Sequence, residues 1–288
     1  MAHEAERDPV TGQQTTGHEW DGIKELNTPL PRWWVYLFWA TIAWSVVWWI
    51  LYPSWPWLTT YYPGLLGSNQ RLEFAERWQA AEAERAAWLD RIRESGLAEI
   101  SADPELFTFA SRGGEVVFKE NCAACHGLGG AGQRNYPSLA DDDWLWGGKL
   151  EDILLTVRHG IRDPSDPDTR ESRMPAFADL LTPEEIADVA SYVLSLSGQA
   201  SDPEAARRGA ALFAEQCAAC HGDDGRGIRE VGAPDLTDAI WLYGSSPEAV
   251  RAQIADPRHG VMPAWAGRLS EEALKMVAIY VHALGGGE

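Results

Sequence analysis

Four cysteines, two histidines and two methionines are the residues whose types and spacing can do chemistry in this chain. The cysteines fall as two tight pairs, each followed at once by histidine: Cys122-Ala-Ala-Cys125-His126-Gly127 and Cys217-Ala-Ala-Cys220-His221-Gly222. Cys-x-x-Cys-His is the attachment sequence for a c-type haem, in which both thiols add to vinyl groups and the adjacent imidazole supplies the proximal iron ligand. A structural zinc site would need four ligands in one cluster. A thioredoxin-like pair would need a βαβ setting. Neither accounts for an immediate histidine occurring twice, so the spacing predicts two covalent haems c.

Of four methionines, Met174 and Met262 each open the sequence Met-Pro-Ala-aromatic-Ala, whereas Met1 and Met276 do not. A thioether in the sixth position raises the reduction potential and closes the iron to substrate. We therefore expect His126, Met174, His221 and Met262 as axial ligands and Met276 as core packing. The separations, 48 residues from His126 to Met174 and 41 from His221 to Met262, suit ligation within each repeat. That is the default expectation, and exchange of methionines between repeats stays open.

These ligands sit in two copies of one unit. Each copy starts Gly-x-x-x-Phe-x-x-x-Cys, from Gly114 and Gly209. Each then carries Pro and Trp seven residues apart (Pro137 and Trp144; Pro234 and Trp241), and an Arg-His-Gly at 158–160 and 258–260. A tyrosine follows each Met-Pro-Ala by a fixed distance, Tyr192 and Tyr280. Trp144, Trp241, Tyr192 and Tyr280 are expected to pack the haem pockets. His159 and His259 are expected in structural hydrogen bonds or propionate contacts rather than on iron; His3, His18 and His282 are given no role. The first copy alone has 12 extra residues, Arg162 to Arg173, rich in Asp, Pro, Arg and Ser. They read as a surface loop that marks a docking side.

The elements that position the ligands follow from local signals. Thr182-Pro183-Glu184-Glu185 and Ser270-Glu271-Glu272 are cap-then-acid helix starts. No charged side chain lies between Arg32 and Arg71, and eight of the 15 tryptophans fall between Trp33 and Trp57. The run Trp33 to Tyr52 is long enough, at ~1.5 Å per residue, to cross ~30 Å of hydrocarbon. Its aromatic ends suit the two interfaces. A cleaved signal peptide is disfavoured, because the run starts late and ends at Pro53 without a small-residue cleavage site. Residues 1–32 read as a mostly irregular tail with no strand or helix period. From 53 to 67 the chain reads as irregular and lying on the membrane surface. Asn69 to about Arg93 reads as a helical arm, either a solvated spacer or a grip on another subunit.

Composition sets outer limits. A formal net charge of −19 excludes the basic footprint of nucleic-acid binding and suits a basic redox partner. Four cysteines in 288 residues are too few for a disulfide scaffold. The expected fold is all-α: one transmembrane helix plus a helical arm and two tandem class I cytochrome c domains. Its segments are a tail (1–32), a transmembrane helix (33–52), a surface segment and arm (53–110), and cytochrome domains at 111–199 and 200–288.

The segment Asp21-Gly22-Ile23-Lys24-Glu25-Leu26-Asn27-x-Pro29-Leu30-Pro31-Arg32-Trp33-Trp34 resembles the opening of the dihaem subunit of cbb3-type cytochrome c oxidases, the CcoP or FixP family. The order of elements after it is similar to that family over nearly the whole chain, in its form with a single membrane helix. The resemblance implies a subunit that takes electrons from cytochrome c. It would pass them through a monohaem cytochrome subunit to a catalytic haem–copper subunit, in aerobic or microaerobic respiration. It also implies haem carried by Cys122, Cys125 and His126 and by Cys217, Cys220 and His221. No residues here suggest an oxygen-reducing site, so the chain is expected to be a non-catalytic part of an oxidoreductase. A free-standing membrane-tethered dihaem shuttle is the runner-up. A dihaem peroxidase is disfavoured by a methionine in both repeats. Haem c is attached outside the bacterial inner membrane, which predicts a cytoplasmic N-terminus and periplasmic haem domains.

Overall fold

The computed structural model of the chain describes residues 6–199 and 202–288. His3 and Ala200, where the second haem domain was expected to start, lie outside the described residues. Among the described residues the architecture is eleven α-helices and one small hairpin, and the chain divides into two units, 1–82 and 83–288.

In the first unit, β1 (Thr15–Trp20) and β2 (Ile23–Leu26) pair antiparallel. This corrects the expected irregular tail. The turn specifies the hairpin: Asp21 and Gly22 both have positive φ, 48° and 86°, the pattern Asp-Gly favours in two-residue hairpin loops. Thr15 is the one buried residue of either strand, so no apolar alternation exists to be read. Helix α1 (Arg32–Leu51) begins one residue before the expected span, and none of its side chains is buried. Its two aliphatic hydroxyls turn back on its own carbonyls, Thr41 Oγ1 to Phe38 O at 2.7 Å and Ser45 Oγ to Thr41 O at 2.9 Å. Neither presents an unpaired polar group to apolar surroundings. Chain 53–66 then folds back, and the N–H groups of Leu65 and Leu66 donate to the carbonyls of Ile50 and Leu51. Two carbonyls orphaned at the helix end are satisfied in this way. Gly64 makes the return possible, since a Cβ there would strike the Leu51 carbonyl.

Helix α2 (Gln70–Glu94) is capped by Asn69, whose Oδ1 accepts from the N–H groups of Arg71 and Leu72. Its last turns belong to the second unit and pack within it. Trp88 stacks on Phe109, and Ile92 is fully buried with Leu97, Ile100, Leu106 and Met276. The Lys275 ammonium donates to three carbonyls at the end of α2, those of Ile92, Arg93 and Ser95, at 3.2, 2.8 and 2.9 Å. A cation on these carbonyls both caps the helix and opposes its dipole. The arm's end is therefore held by its own chain.

The rest of this unit comprises α3 (Leu97–Ala102), α4 (Pro104–Asn121), α5 (Ala123–His126), α6 (Leu150–His159), α7 (Pro183–Leu196), α8 (Pro203–Gln216), α9 (Ala218–His221), α10 (Pro247–Ala255) and α11 (Glu271–His282). The starts are capped as the sequence indicates. Thr182 and Glu185 form a reciprocal capping box, and Ser270 accepts from the Ala273 N–H. Asp103 and Asp202 each cap a helix that opens on proline.

Packing between helices does not follow the division into repeats. The closing helix of the first repeat, α7, packs on the opening helix of the second, α8; the closing helix of the second, α11, packs on the opening helix of the first, α4. Two bodies result among the described residues, each with its own core: one lies within 174–256, and the other within 83–161 together with 262–288. Each crossing is made at the repeated Gly-x-x-x-Phe. A Cβ on Gly114 would collide with the Met276 carbonyl, and one on Gly209 with that of Asp188. One turn further on, Phe118 meets Tyr280 and Phe213 meets Tyr192, with ring centroids 5.3 and 5.1 Å apart. Met276 is buried at the first crossing, and Arg208 grips Asp188 with two hydrogen bonds at the second. Gly114→Ala and Gly209→Ala should each lower stability by about 1–3 kcal/mol through overpacking. Urea unfolding of the full chain in detergent reads this, with exposed Val116→Ala on α4 expected to shift the midpoint little.

Candidate functional site

Each Cys-x-x-Cys-His lies at the exit of a crossing helix. Cys122 and Cys217 cap α4 and α8, their N–H groups bonding the Phe118 and Phe213 carbonyls at 2.8 Å. A single helical turn, α5 or α9, then ends on the histidine. It stops there because Gly127 and Gly222 have φ of 77° and 78°, the left-handed region that favours glycine. The Cys122 and Cys217 thiols are pushed up to about 11, by burial first and by the neighbouring Cys125 or Cys220 second. Cys125 and Cys220 are exposed.

His126 Nδ1 lies 3.0 Å from the Pro137 carbonyl, and His221 Nδ1 lies 3.4 Å from that of Pro234. A carbonyl can only accept, so Nδ1 carries the proton and the Nε2 lone pair is free for a metal, the usual orientation of a ligating imidazole. Burial lowers the pKa of both rings and keeps them neutral, as ligation needs. The repeated prolines thus have a task, and their recurrence seven residues before each repeated tryptophan was the available signal.

A cavity of about 620 Å³ contains Cys217, Cys220 and His221, and Met174 lies in its wall. Met174 also packs on the cluster formed by Phe177, Val189, Phe213 and Cys217. Met262 packs on Phe118, Val157 and Leu274, the cluster that also receives Cys122 and Ala123. Each methionine therefore sits with the cysteines of the other repeat, the arrangement left open above rather than the default. The cause is backbone strapping. The Phe177 N–H donates to Ile254 O on α10 at 3.2 Å, and the Trp265 N–H donates to Val157 O on α6 at 3.1 Å. Both Met-Pro-Ala segments are laid along a helix of the opposite repeat.

Residues around the cavity fit haem. Trp241 Nε1 and His259 Nε2 line it, are buried, and have no hydrogen-bond partner among the described residues. A buried unpaired donor costs about 1–3 kcal/mol, and a haem propionate placed there removes that cost. The paired residues at the other centre differ. Trp144 Nε1 donates to the Gly286 carbonyl, and His159 Nδ1 lies 3.2 Å from Asp166 Oδ2. Asp141, Asp143 and Asp235 also line the cavity. Burial, then the charges of Asp238, Asp141, Asp235 and Asp142, push the Asp143 carboxyl up to about 6.

Residues 162–173 are less superficial than their composition suggests. Asp163 is buried, and its Oδ2 accepts from the Ala264 N–H at 2.7 Å, just past Met262. The Asp163 carboxyl is held down at about 2, chiefly by that bond and then by two from Ser165. Nothing in a single sequence separates this aspartate from its exposed neighbours.

Three families match successive parts of the chain. The N-terminal domain of cytochrome oxidase-cbb3, FixP, matches residues 12–59. Cytochrome c matches 110–197, and cytochrome c oxidase, cbb3-type, subunit III matches 204–281. Cytochrome c domains carry covalently bound haem c. The chain is 52% identical to the cbb3-type cytochrome c oxidase subunit FixP of Sinorhizobium medicae over 281 residues, 98% of this chain and 97% of that one. It is 50% identical to the FixP of Bradyrhizobium sp. (strain ORS 278) over the full length of both. With the CcoP subunit of Cereibacter sphaeroides it shares 48% identity over 95% of each chain. A FixP-type N-terminus followed by two cytochrome c regions, with such identity from end to end, makes this chain a member of the FixP/CcoP family of cbb3-type cytochrome c oxidase subunits.

Proposed function

We propose that the chain is the membrane-anchored dihaem relay of a cbb3-type oxidase, taking electrons from cytochrome c and delivering them towards the haem–copper subunit. Haem c bound at each Cys-x-x-Cys-His supplies a one-electron ferric–ferrous couple. Cys122 and Cys125 would hold one haem, and Cys217 and Cys220 the other. His126 with Met262, and His221 with Met174, would be the residues that hold the two irons. The observation that carries this reading is the placing of a methionine against each Cys-x-x-Cys-His. A histidine and a methionine at each haem would leave the iron no open position for oxygen, which suits passage of electrons alone.

Surroundings of the ligands serve the same end. The proline carbonyls fix the imidazole rings, and the apolar clusters around Phe118 and Phe213 exclude water from one side of each site. α1, with no buried side chain, anchors the chain in the inner membrane. Haem attachment outside that membrane supports a cytoplasmic N-terminus and periplasmic haem domains. A monohaem cytochrome subunit and the catalytic subunit are the proposed neighbours.

Purification of the tagged full chain from a native membrane in mild detergent should bring down a haem–copper subunit, with two covalent haems per chain by haem stain. Recovery of the chain alone would mark a free shuttle and sink the oxidase assignment. Crossed ligation has its own test. In a Cys217→Ala/Cys220→Ala background, Met262→Ala should abolish the near-infrared sulfur-to-iron charge-transfer band of the remaining ferric haem. Met174→Ala should leave it; the opposite result means ligation within each repeat. Electrostatics give a third expectation. Ionisation of Asp143 at about pH 6 adds negative charge beside the haem held by Cys217 and Cys220, which favours ferric iron. That haem's midpoint potential should fall as pH rises through this range, and Asp143→Asn should flatten the profile.

A further inference from the structure

One side chain of the 162–173 insertion touches both methionine-bearing segments. Arg162 Nε donates to the Gly260 carbonyl at 2.7 Å, and its Nη1 donates to the Ser172 carbonyl at 3.0 Å. Gly260 stands two residues before Met262, and Ser172 two residues before Met174. A single planar guanidinium, with donors diverging from one rigid fork, thus ties the approach to one methionine to the approach to the other.

The arginine is itself held firmly. Its φ is 54°, left-handed and rare for a residue with a side chain. Neighbours on either side account for its persistence. Ile161 exchanges both backbone hydrogen bonds with Met262, at 2.9 and 3.0 Å, and the Arg162 N–H donates to Arg170 O at 2.9 Å. Next along the chain, Asp163 accepts from Ala264 and from the N–H and hydroxyl of Ser165. Backbone conformation that is strained and held in place by its surroundings is typical of positions with a task. Resting at the edge of the cavity beside Arg173 and His259, Arg162 could also act by charge alone, so the test has to separate geometry from charge.

We propose that Arg162 is a positioning residue for both iron sites, its one guanidinium fixing the carbonyl ahead of each axial methionine so that the two sixth ligands loosen together. This rests on Met174 and Met262 being axial ligands. The full chain in mild detergent is tested in two single-haem backgrounds, Cys122→Ala/Cys125→Ala and Cys217→Ala/Cys220→Ala, with imidazole as competing ligand. Arg162→Gln should raise imidazole affinity about tenfold at either remaining haem, the size of one lost charged hydrogen bond. It should also weaken the sulfur-to-iron charge-transfer band at both. Arg162→Lys keeps the charge but cannot span two carbonyls, so it should behave like Arg162→Gln; as the milder change it also keeps the test standing if the glutamine variant folds poorly. Asp163→Asn, whose single acceptor oxygen cannot serve both Ala264 and Ser165, leaves the Arg162 contacts in place and should loosen the haem held by Cys122 and Cys125 alone.

An effect of Arg162→Gln on one haem only, or full rescue by lysine, overturns the proposal. If Met174→Ala and Met262→Ala each remove one band while the Arg162 variants change neither haem, the proposal falls and the ligand reading stands. If the methionine variants leave both bands intact, the ligand reading falls and the proposal with it.

Discussion

Two helices can touch backbone to backbone only where one of them carries hydrogen in place of a side chain. Gly114 and Gly209 supply that hydrogen, and much of the haem-bearing unit follows from it. Close crossing at each glycine brings a phenylalanine against a tyrosine one turn later and delivers the helix end, with its cysteine, to a fixed place. The single turn to the histidine and the glycine that stops it leave little freedom for the imidazole, and a proline carbonyl removes the rest. An electron carrier gains from this stiffness, since a site that barely moves between oxidation states needs little reorganisation to exchange an electron.

Crossed pairing of the closing helices also decides where the methionines go. The Met-Pro-Ala segments precede α7 and α11 directly, so once those helices pack on the opposite repeat, the methionines arrive there too. The two crossings are alike in geometry but unequal in their surroundings. One is reinforced by Arg208 and Asp188. The other is joined by the end of α2, with Lys275 on its carbonyls and Ile92 in the core beside Met276. Two sites of one motif, with different neighbours in Asp143 and in Trp241 against Trp144, are therefore electrostatically unequal.

Much of this was legible in the sequence. The repeated Cys-x-x-Cys-His pairs, the membrane-length run, the helix from Gln70 and the capped helix starts announce themselves through residue types whose local demands are strong. The hairpin at Asp21-Gly22 was missed because its strands have almost no buried face; a turn alone specified it. The exchange of methionines was open because spacing within either repeat permits ligation at home. The choice is made by helix crossings between residues far apart in the chain, which no local pattern records. Arg162 and Asp163 were hidden in a stretch whose composition says surface, because polar side chains that satisfy internal carbonyls and N–H groups look the same in sequence as solvated ones.

Nesting of one body within the other has a consequence for how the chain is made. Cys122 and His126 leave the ribosome long before α11, on which α4 must close. The body over 174–256, by contrast, has its closing helix in hand before its own cysteines emerge. The second attachment site can therefore mature first, while the earlier one waits for the last helix of the protein. A break between the repeats would free neither half, since each piece would carry the other's lid. The two repeats thus make one indivisible object, in which neither copy can be lost without unmaking the other.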